Sequence, residues 1–388
     1  MPFLEAAGTA TVRRMRIAIV VPGGVGADGV HAVIPALLSL IERLSSRHEI
    51  LVLATEQAAS PAEYRLAGAT IVCLGGPRLA GMGRLRILAS ALRRLRRFRP
   101  DVVHAFWLGP TSSIAVIAGR LLRVPVVASV GGGELVGLPR IGYGGALSRR
   151  GRLHARLALG SATAVTAGSR YALGPVLVRR PDARWLPLGA ERFAYGEPDD
   201  GAESSLVRLL VTANVNRVKG PEVVIGALLR LRRDLGLDAR IDWMGQDTLD
   251  GWAAGLAQSM GLGDAVTFRG FAPQSEVLAW MERADLLVQG SHHESQGVTV
   301  LEAAMRGLPT VGTAVGLVAE LAALDPPAVV AVRPGRAADL ADAIAALMAD
   351  PSRRRQIGEA ARDWAEAHDA DWTAASFEAI YTEVTRRG

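Results

Sequence analysis

The sequence predicts an α/β protein of two domains, each a mainly parallel sheet wrapped by helices. Three observations lead to that expectation. Short apolar runs alternate with helix-like stretches along the chain, the pattern of parallel strands joined by crossovers. At 192–205 the segment RFAYGEPDDGAESS interrupts the alternation; it is polar, contains Gly and Pro, and has no apolar period. The 388 residues also exceed what one core usually organises, so two units of similar size are expected.

In chain order, residues 1–14 read as a disordered leader, because they lack the long apolar stretch and small-residue cleavage site of a signal peptide. The first domain, 15–191, draws its strands from RIAIVV (16–21), EILVLAT (49–55), TIVCL (70–74), DVVHAF (101–106), PVVASV (125–130) and TAVTAG (163–168). Within it GRLRILASALRRLRRFR (83–99) is a helix with Leu85, Leu88, Leu92 and Leu95 on one face and arginines around them. Such a helix suits docking with a solvated basic side, or peripheral contact with an anionic membrane surface. After the linker at 192–205, the second domain, 206–365, uses VRLLVTA (207–213), ARIDWMG (239–245), AVTFRG (265–270), LLVQGS (286–291) and PTVGTA (309–314). The remainder is helical with a break near Pro351, and 366–388 forms a last helix.

Composition narrows the setting. No run approaches the roughly 18 to 20 apolar residues of a membrane-spanning helix. Cys73 is the only cysteine and no Cys/His group has zinc spacing, which fits a reducing compartment and no metal site. A cytoplasmic location is expected, with no nucleic-acid partner. The net charge is +6 and almost every cation is arginine. Lys219 is the only lysine, and Asn214 and Asn216 are the only asparagines. A bias that replaces lysine elsewhere leaves it where a compact ammonium does what a planar guanidinium cannot.

Three segments carry candidate chemistry. VPGGVGADG follows the first strand, and Gly24, Gly26 and Gly29 satisfy G-x-G-x-x-G, the dinucleotide fingerprint. The matching acidic residue, Glu56, falls late for a ribose contact. The same glycines serve a tight turn, or let a phosphate or sugar approach the backbone at Gly23 and Gly24. In RVKGPEVVIGAL, Pro221 starts a helix beside Lys219, so amides, helix dipole and ammonium favour a phosphate there, and more strongly a departing diphosphate. In SHHESQGVTVLEAAMRG, Glu294 precedes Glu302 across Gly297 and a helix start. Thr299 and Glu302 also fit a capping box, which alone would explain Glu302. Otherwise the two glutamates are acceptors for a hydroxyl-rich ligand, with amides near Gly297, Val298 and Thr299 facing its phosphates. His292 and His293 are taken as solvated or structural.

The stretch from Glu294 to Glu302, with LEAAMRGLPTV after it, resembles the E-x7-E motif of glycosyltransferase family 4, the retaining GT-B enzymes. The resemblance extends through RPDVVHAF, PVVASVGGGE, WLPLGAERF, RVKGPEVVIGAL, FRGFAPQSEVLAWMERADLLVQGS and AVGLVAE. It implies two Rossmann-like domains facing a cleft, an amino-terminal acceptor domain, a carboxyl-terminal donor domain, and a terminal helix crossing back to the first. It implies a retaining sugar transfer from a nucleotide-diphosphate sugar, the co-substrate, with no cofactor or metal. Glu294 would hold the donor sugar, Glu302 the ribose and Lys219 the diphosphate. The acceptor would be a glycan, a lipid-linked or a small-molecule hydroxyl.

Two departures bear on activity. The family arginine five residues before the lysine is Asn214 here, with Arg217 a candidate substitute. The family histidine after the fifth strand is replaced by Gly131, Gly132 and Gly133 before Glu134. That leaves His104, Gly132 and Glu134 as acceptor-side candidates and Phe271 as the base contact. D-x-D occurs only at Asp369–Asp371 in the helical tail. The alternatives are a non-catalytic sugar-nucleotide-binding or scaffolding protein of the same fold, and a nicotinamide oxidoreductase using the first glycine loop.

Overall fold

The computed structural model describes residues 13–76, 82–192 and 206–387. The expected leader and linker therefore lie outside the described residues, Arg13, Arg14 and Arg192 excepted. The first domain contains β1 (Arg16–Val21), α1 (Pro35–Arg47), β2 (Glu49–Ala54), β3 (Ala62–Leu66), β4 (Ala69–Cys73), α2 (Met82–Phe98), β5 (Val102–Phe106), α3 (Pro110–Leu122), β6 (Val126–Val130), α4 (Arg149–Ser161), β7 (Ala164–Ala167), α5 (Arg170–Leu177) and β8 (Arg184–Trp185). The second contains β9 (Val207–Thr212), α6 (Pro221–Arg233), β10 (Ala239–Met244), α7 (Trp252–Ser259), β11 (Val266–Gly270), α8 (Gln274–Met281), β12 (Leu286–Gln289), α9 (Val298–Ala304), β13 (Thr310–Thr313), α10 (Gly316–Leu321), β14 (Val330–Val332), α11 (Ala337–Met348), α12 (Pro351–Ala367) and α13 (Ala370–Arg387).

Both sheets are doubly wound. The first runs β3-β4-β2-β1-β5-β6-β7-β8 and the second β11-β10-β9-β12-β13-β14. All pairings are parallel except β3 with β4. One face of the first sheet is covered by α2 to α5, through Ile87, Ala91, Leu95, Val116 and Leu159. The other is covered by α1 and, from the far end of the chain, α13, through Leu37, Leu40, Phe377 and Tyr381. The second sheet packs α6, α7 and α11 on one face and α8, α9, α10 and α12 on the other. The central strands are mostly apolar and almost wholly buried because both their faces are covered.

Three strands escape the apolar-run pattern. β3, sequence AEYRL, is an antiparallel edge strand with no buried position, so nothing requires an apolar run there. β8 has two residues and β14 three. The basic helix seats its leucine face only in part, with Leu95 in the core and Leu92 packed against it. Ile87, Ala91 and Leu95, spaced i, i+4, i+8, enter the core, whereas Leu85 is 67% exposed. Among the described residues no helix is long and apolar enough to cross a membrane.

Candidate active site

A cavity of about 550 Å³ lies between the two domains at the carboxyl ends of β9 and β10. In open α/β sheets this edge is where ligands bind. The first domain contributes Gly29, Val30 and the start of α1, including Ser39 and Glu42; the second contributes Asn214, Phe271, Gln274, Val298, Thr299 and Glu302.

Lys219 reaches this region because its local sequence fixes its backbone. Asn216 caps the short 3-10 turn Arg217–Lys219, its Oδ1 accepting from the Lys219 amide at 3.2 Å. Gly220 follows with φ +62, where a side chain would meet the Gly290 carbonyl oxygen at 2.2 Å. Only glycine fits that left-handed, crowded position. Pro221 then opens α6 at its first position. Lys219 Nζ donates to Glu294 Oε1 at 2.5 Å, and Ser291 Oγ donates to the same oxygen at 2.7 Å. The lysine and the first glutamate of the motif are thus joined directly. α6 also begins without a side-chain cap, and Glu222 in its first turn pairs with His292 at 2.6 Å. The amino ends of α1, α8 and α9 reach the cleft; at α9, Val298 and Thr299 follow Gly297 (φ +90) without a side-chain cap.

Glu302 is not the far side of a capping box, because Gly297, not Thr299, is the N-cap of α9. Its side chain lines the cleft although it is 7% exposed, and its Oε1 accepts from Gln274 Nε2 at 2.9 Å. Burial pushes its carboxyl above the usual carboxylate range, opposed by the Gln274 hydrogen bond. Phe271 is 48% exposed on the cleft wall and meets His31 of the first domain with ring centres 5.0 Å apart.

Other candidates lie outside the cleft or at its border. Arg217 lies with its guanidinium 5.0 Å from the Trp252 ring, so it does not stand in for the family arginine. Asn214 borders the cleft, but its Oδ1 accepts from the Gln246 amide at 3.0 Å. Gly23 and Gly24 do not border it. Gly24 has φ +88 with Ile34 against its α-carbon, Gly26 presses on the His31 carbonyl, and Gly29 has φ +70. All three glycines answer the loop's own turn, and α1 begins only at Pro35, which removes the basis for a dinucleotide fingerprint. His104 is a core residue rather than an acceptor contact. It is fully buried, with Nδ1 2.6 Å from the Tyr381 hydroxyl and Nε2 2.7 Å from Ser129 Oγ, and burial lowers its pKa to about 3.

Glu134 is occupied by its own loop, accepting from the amides of Leu108 at 3.0 Å, Gly131 at 3.3 Å and Gly132 at 2.8 Å. The glycine run exists because rings lie on it: a side chain at Gly131 would meet Trp107 at 2.7 Å, and one at Gly133 would meet Tyr143 at 2.5 Å. No histidine fits at either position. The histidine at this seam comes instead from the other domain. His293 is 6% exposed, its ring centre 6.0 Å from Tyr143 and 5.8 Å from Tyr171, and its Nε2 has no partner among the described residues. Burial lowers its pKa, while Glu294, the Gly132 backbone and Glu134 oppose that shift. Tyr143 is pushed up to about 12 by burial and then by the carboxylates of Glu294 and Glu134. Sequence reasoning set His293 aside because neighbouring histidines carry no sign of which one is buried. Glu42 and Glu191 on the first-domain wall were missed as well; Glu191 is gripped by Arg43 through two bonds of 2.6 Å.

Two doubly wound sheets around such a cleft, with α13 returned to the first domain, make the GT-B architecture. The family model of glycosyl transferases group 1 matches residues 201–364, and that of the glycosyl transferase 4-like domain matches residues 31–189. The chain is 30% identical over 311 residues to glycogen synthase of Mycobacterium tuberculosis (strain ATCC 25618 / H37Rv), covering 76% of this chain and 71% of that protein. It is 26% identical over 380 residues to D-inositol 3-phosphate glycosyltransferase of Arthrobacter sp. (strain FB24), covering 91% of this chain and 90% of that one. The solved structure of Anabaena HepE in complex with UDP and glucose superposes with a TM-score of 0.76 at 17% identity, over 95% of this chain and 100% of that chain. The chain belongs to the group 1 glycosyltransferases of GT-B fold, enzymes that transfer a sugar from a nucleotide sugar to an acceptor.

Proposed function

We propose that this glycosyltransferase is a retaining, metal-independent hexosyltransferase, with Lys219 and Glu294 at the reacting end of the donor and Glu302 and Phe271 at its nucleoside end. The observation that carries the reading is the Lys219–Glu294 pair beside the uncapped first turn of α9. The bond from anomeric carbon to diphosphate oxygen breaks, the acceptor oxygen bonds to the same face, and its proton passes to the departing diphosphate. Lys219 and the α9 amides meet the charge that collects on that leaving group, and removing one such donor commonly costs about 10² to 10³ in rate. When the diphosphate takes the ammonium, Glu294 is released toward the sugar hydroxyls. Glu302 accepts from the ribose, and Phe271 faces the base.

The test is a thermal-shift screen of UDP-, GDP- and ADP-sugars, followed by donor hydrolysis and transfer with and without EDTA. UDP-sugars come first, because the HepE structure holds UDP and glucose. Turnover unchanged by EDTA supports the reading; turnover abolished by EDTA and restored by a divalent cation rejects the metal-independent part. One observation favours a second reading, a binding protein without turnover. Among the described residues that line the cleft and its small neighbouring cavity no arginine appears, so Lys219 is the one side-chain cation there to join the α9 amides at the diphosphate. Saturable binding of a sugar nucleotide with no hydrolysis would establish it.

A lipid-linked acceptor is supported by the first-domain surface. Arg84, Arg86, Arg93, Arg96 and Arg97 of α2 and Arg149, Arg150 and Arg152 of α4 all face outward or nearly so, with Leu85 and Leu153 exposed among them. Salt-sensitive co-sedimentation with phosphatidylglycerol vesicles, lost when Arg93, Arg96 and Arg97 become glutamate, is the expected result. Equal binding to neutral vesicles would speak against it.

A further inference from the structure

Next to the Lys219–Glu294 pair the second domain encloses another, much smaller cavity of about 20 Å³. Its wall includes Thr212, Lys219, Gln289, Ser291, Glu294 and Thr299. Gln289 ends β12 and Thr212 ends β9, and those strands are hydrogen-bonded neighbours, so the two side chains stand beside each other at the carboxyl edge of the sheet. Gln289 is 9% exposed and Thr212 8%. Neither Thr212 Oγ1 nor either end of the Gln289 amide has a hydrogen-bond partner among the described residues. The amide lies beside the Gly297 backbone, where a side chain would come 3.7 Å from Gln289 Oε1.

Native proteins rarely leave buried polar groups unpaired, and here three such atoms are concentrated where β9 meets β12. They offer a hydroxyl, an amide donor and an amide acceptor. The adjoining cavity is large enough for one water-sized group and too small for a sugar ring or a phosphate. Nothing in the folding of β12 asks for this arrangement, since Leu287, on the same side of the strand, is an ordinary core residue.

We infer that Thr212 and Gln289 form a subsite for one hydroxyl-bearing group, held against Lys219 and Glu294 at the floor of the cleft. The group is a resident water or a hydroxyl of the donor sugar, which share the same hydrogen-bonding chemistry. Holding a water, Gln289 is a positioning residue that acts on the transfer through it; holding a sugar hydroxyl, it contacts the donor directly. The subsite stands on geometry alone; its effect on turnover rests on the proposed function.

High-resolution crystal structures of the full chain, alone and with a UDP-sugar, test it. An oxygen within hydrogen-bond distance of Thr212 and Gln289 is expected. Present in both crystals, it is a resident water; supplied by the sugar in the complex, it is a donor hydroxyl. A dry cavity in both overturns the subsite. In solution, Gln289→Leu and Thr212→Val should each lower kcat about tenfold, the loss of roughly one hydrogen bond. UDP affinity should stay within twofold, and the double variant should be no slower than the slower single, because both act through one shared group. Unchanged kcat in both singles, or losses that multiply, would count against it. Wild-type protein that fails to bind UDP would instead refute the proposed function and leave the crystallographic result standing.

Discussion

Lys219 is oriented before any ligand arrives, because Asn216 caps its turn, Gly220 packs on Gly290 and Glu294 holds its ammonium. Replacing it with alanine is expected to cut kcat by about 10² to 10³ while the fold persists. Lys219→Arg should not restore the rate, since a planar fork cannot occupy a single point contact on Glu294. Steady-state kinetics beside a thermal melt separates these outcomes from unfolding. Glu302 works against stability. Its carboxyl titrates above its ordinary range in the folded protein, so the folded state binds the proton more readily than the unfolded one. The stability it costs appears as pH rises from the ordinary carboxylate range through the raised value, and is complete above it. Glu302→Gln is therefore expected to melt higher than the wild type at neutral pH, the gain disappearing below pH 4, while nucleotide affinity falls about 10- to 100-fold with the loss of charged hydrogen bonds. A melting series from about pH 3 to 8 with UDP titrations checks both signs. Lys219, Glu294 and Glu302 were legible because composition and spacing set them apart. Gln289 and His293 were not, since a single polar residue in an apolar or polar run does not reveal that it is buried without a partner.

The strands of both sheets were legible wherever burial on two faces required a continuous apolar run. The edge strand β3 and the short β8 and β14 carry no such requirement, and their positions are set by neighbours instead. α2 shows how far a face can be read, since Leu95 and Leu92 of the expected leucine face do reach the core, but Ile87 and Ala91 share it and Leu85 is exposed. The docking of α13 on β5 is the element-level feature with a measurable signature. His104 bridges the strand to the helix through Tyr381 and continues through Ser129 to Thr166. In the unfolded chain this histidine takes up a proton below about 6.5, but in the fold not until about 3. Acidification thus favours the unfolded state across that window, with a slope approaching about 1.4 kcal/mol per pH unit. His104→Phe should lower stability at neutral pH by roughly 2 kcal/mol, by stranding Tyr381 and Ser129, and should show a shallower acid decline than the wild type. Denaturant unfolding at several pH values compares the two slopes.

The two domains meet along a seam beside Glu294. Gln296 donates to the Leu188 carbonyl at 2.7 Å and accepts from its amide at 2.9 Å, and Ser169 Oγ donates to the Ser295 carbonyl at 2.5 Å. Glu320 accepts from the Arg170 amide at 2.8 Å and from the Trp185 indole at 3.2 Å. None of this was readable in advance, because it pairs residues far apart in sequence through side chains of ordinary type. Gln296→Ala and Gly168→Ala should converge on one phenotype, the first by removing the amide and the second because a side chain at Gly168 would meet Gln296 Oε1 at 2.4 Å. Both are expected to lower kcat/KM about tenfold and to enlarge the radius of gyration in small-angle scattering, with secondary structure intact. An unchanged radius with normal kinetics would show that the seam does not set the angle between domains.

The return of α13 also orders events during synthesis. Ala374, Phe377, Ile380 and Tyr381 complete the first domain's core, yet they leave the ribosome roughly 190 residues after β8. At 5–20 residues per second the amino-terminal half waits roughly 10 to 40 s with that face of the sheet covered by α1 but not by α13. A chain shortened by its last helix is therefore expected to fail first in the half it does not adjoin in sequence, and a nascent chain stalled before Ala370 should be a client for chaperones that shield bare apolar strands.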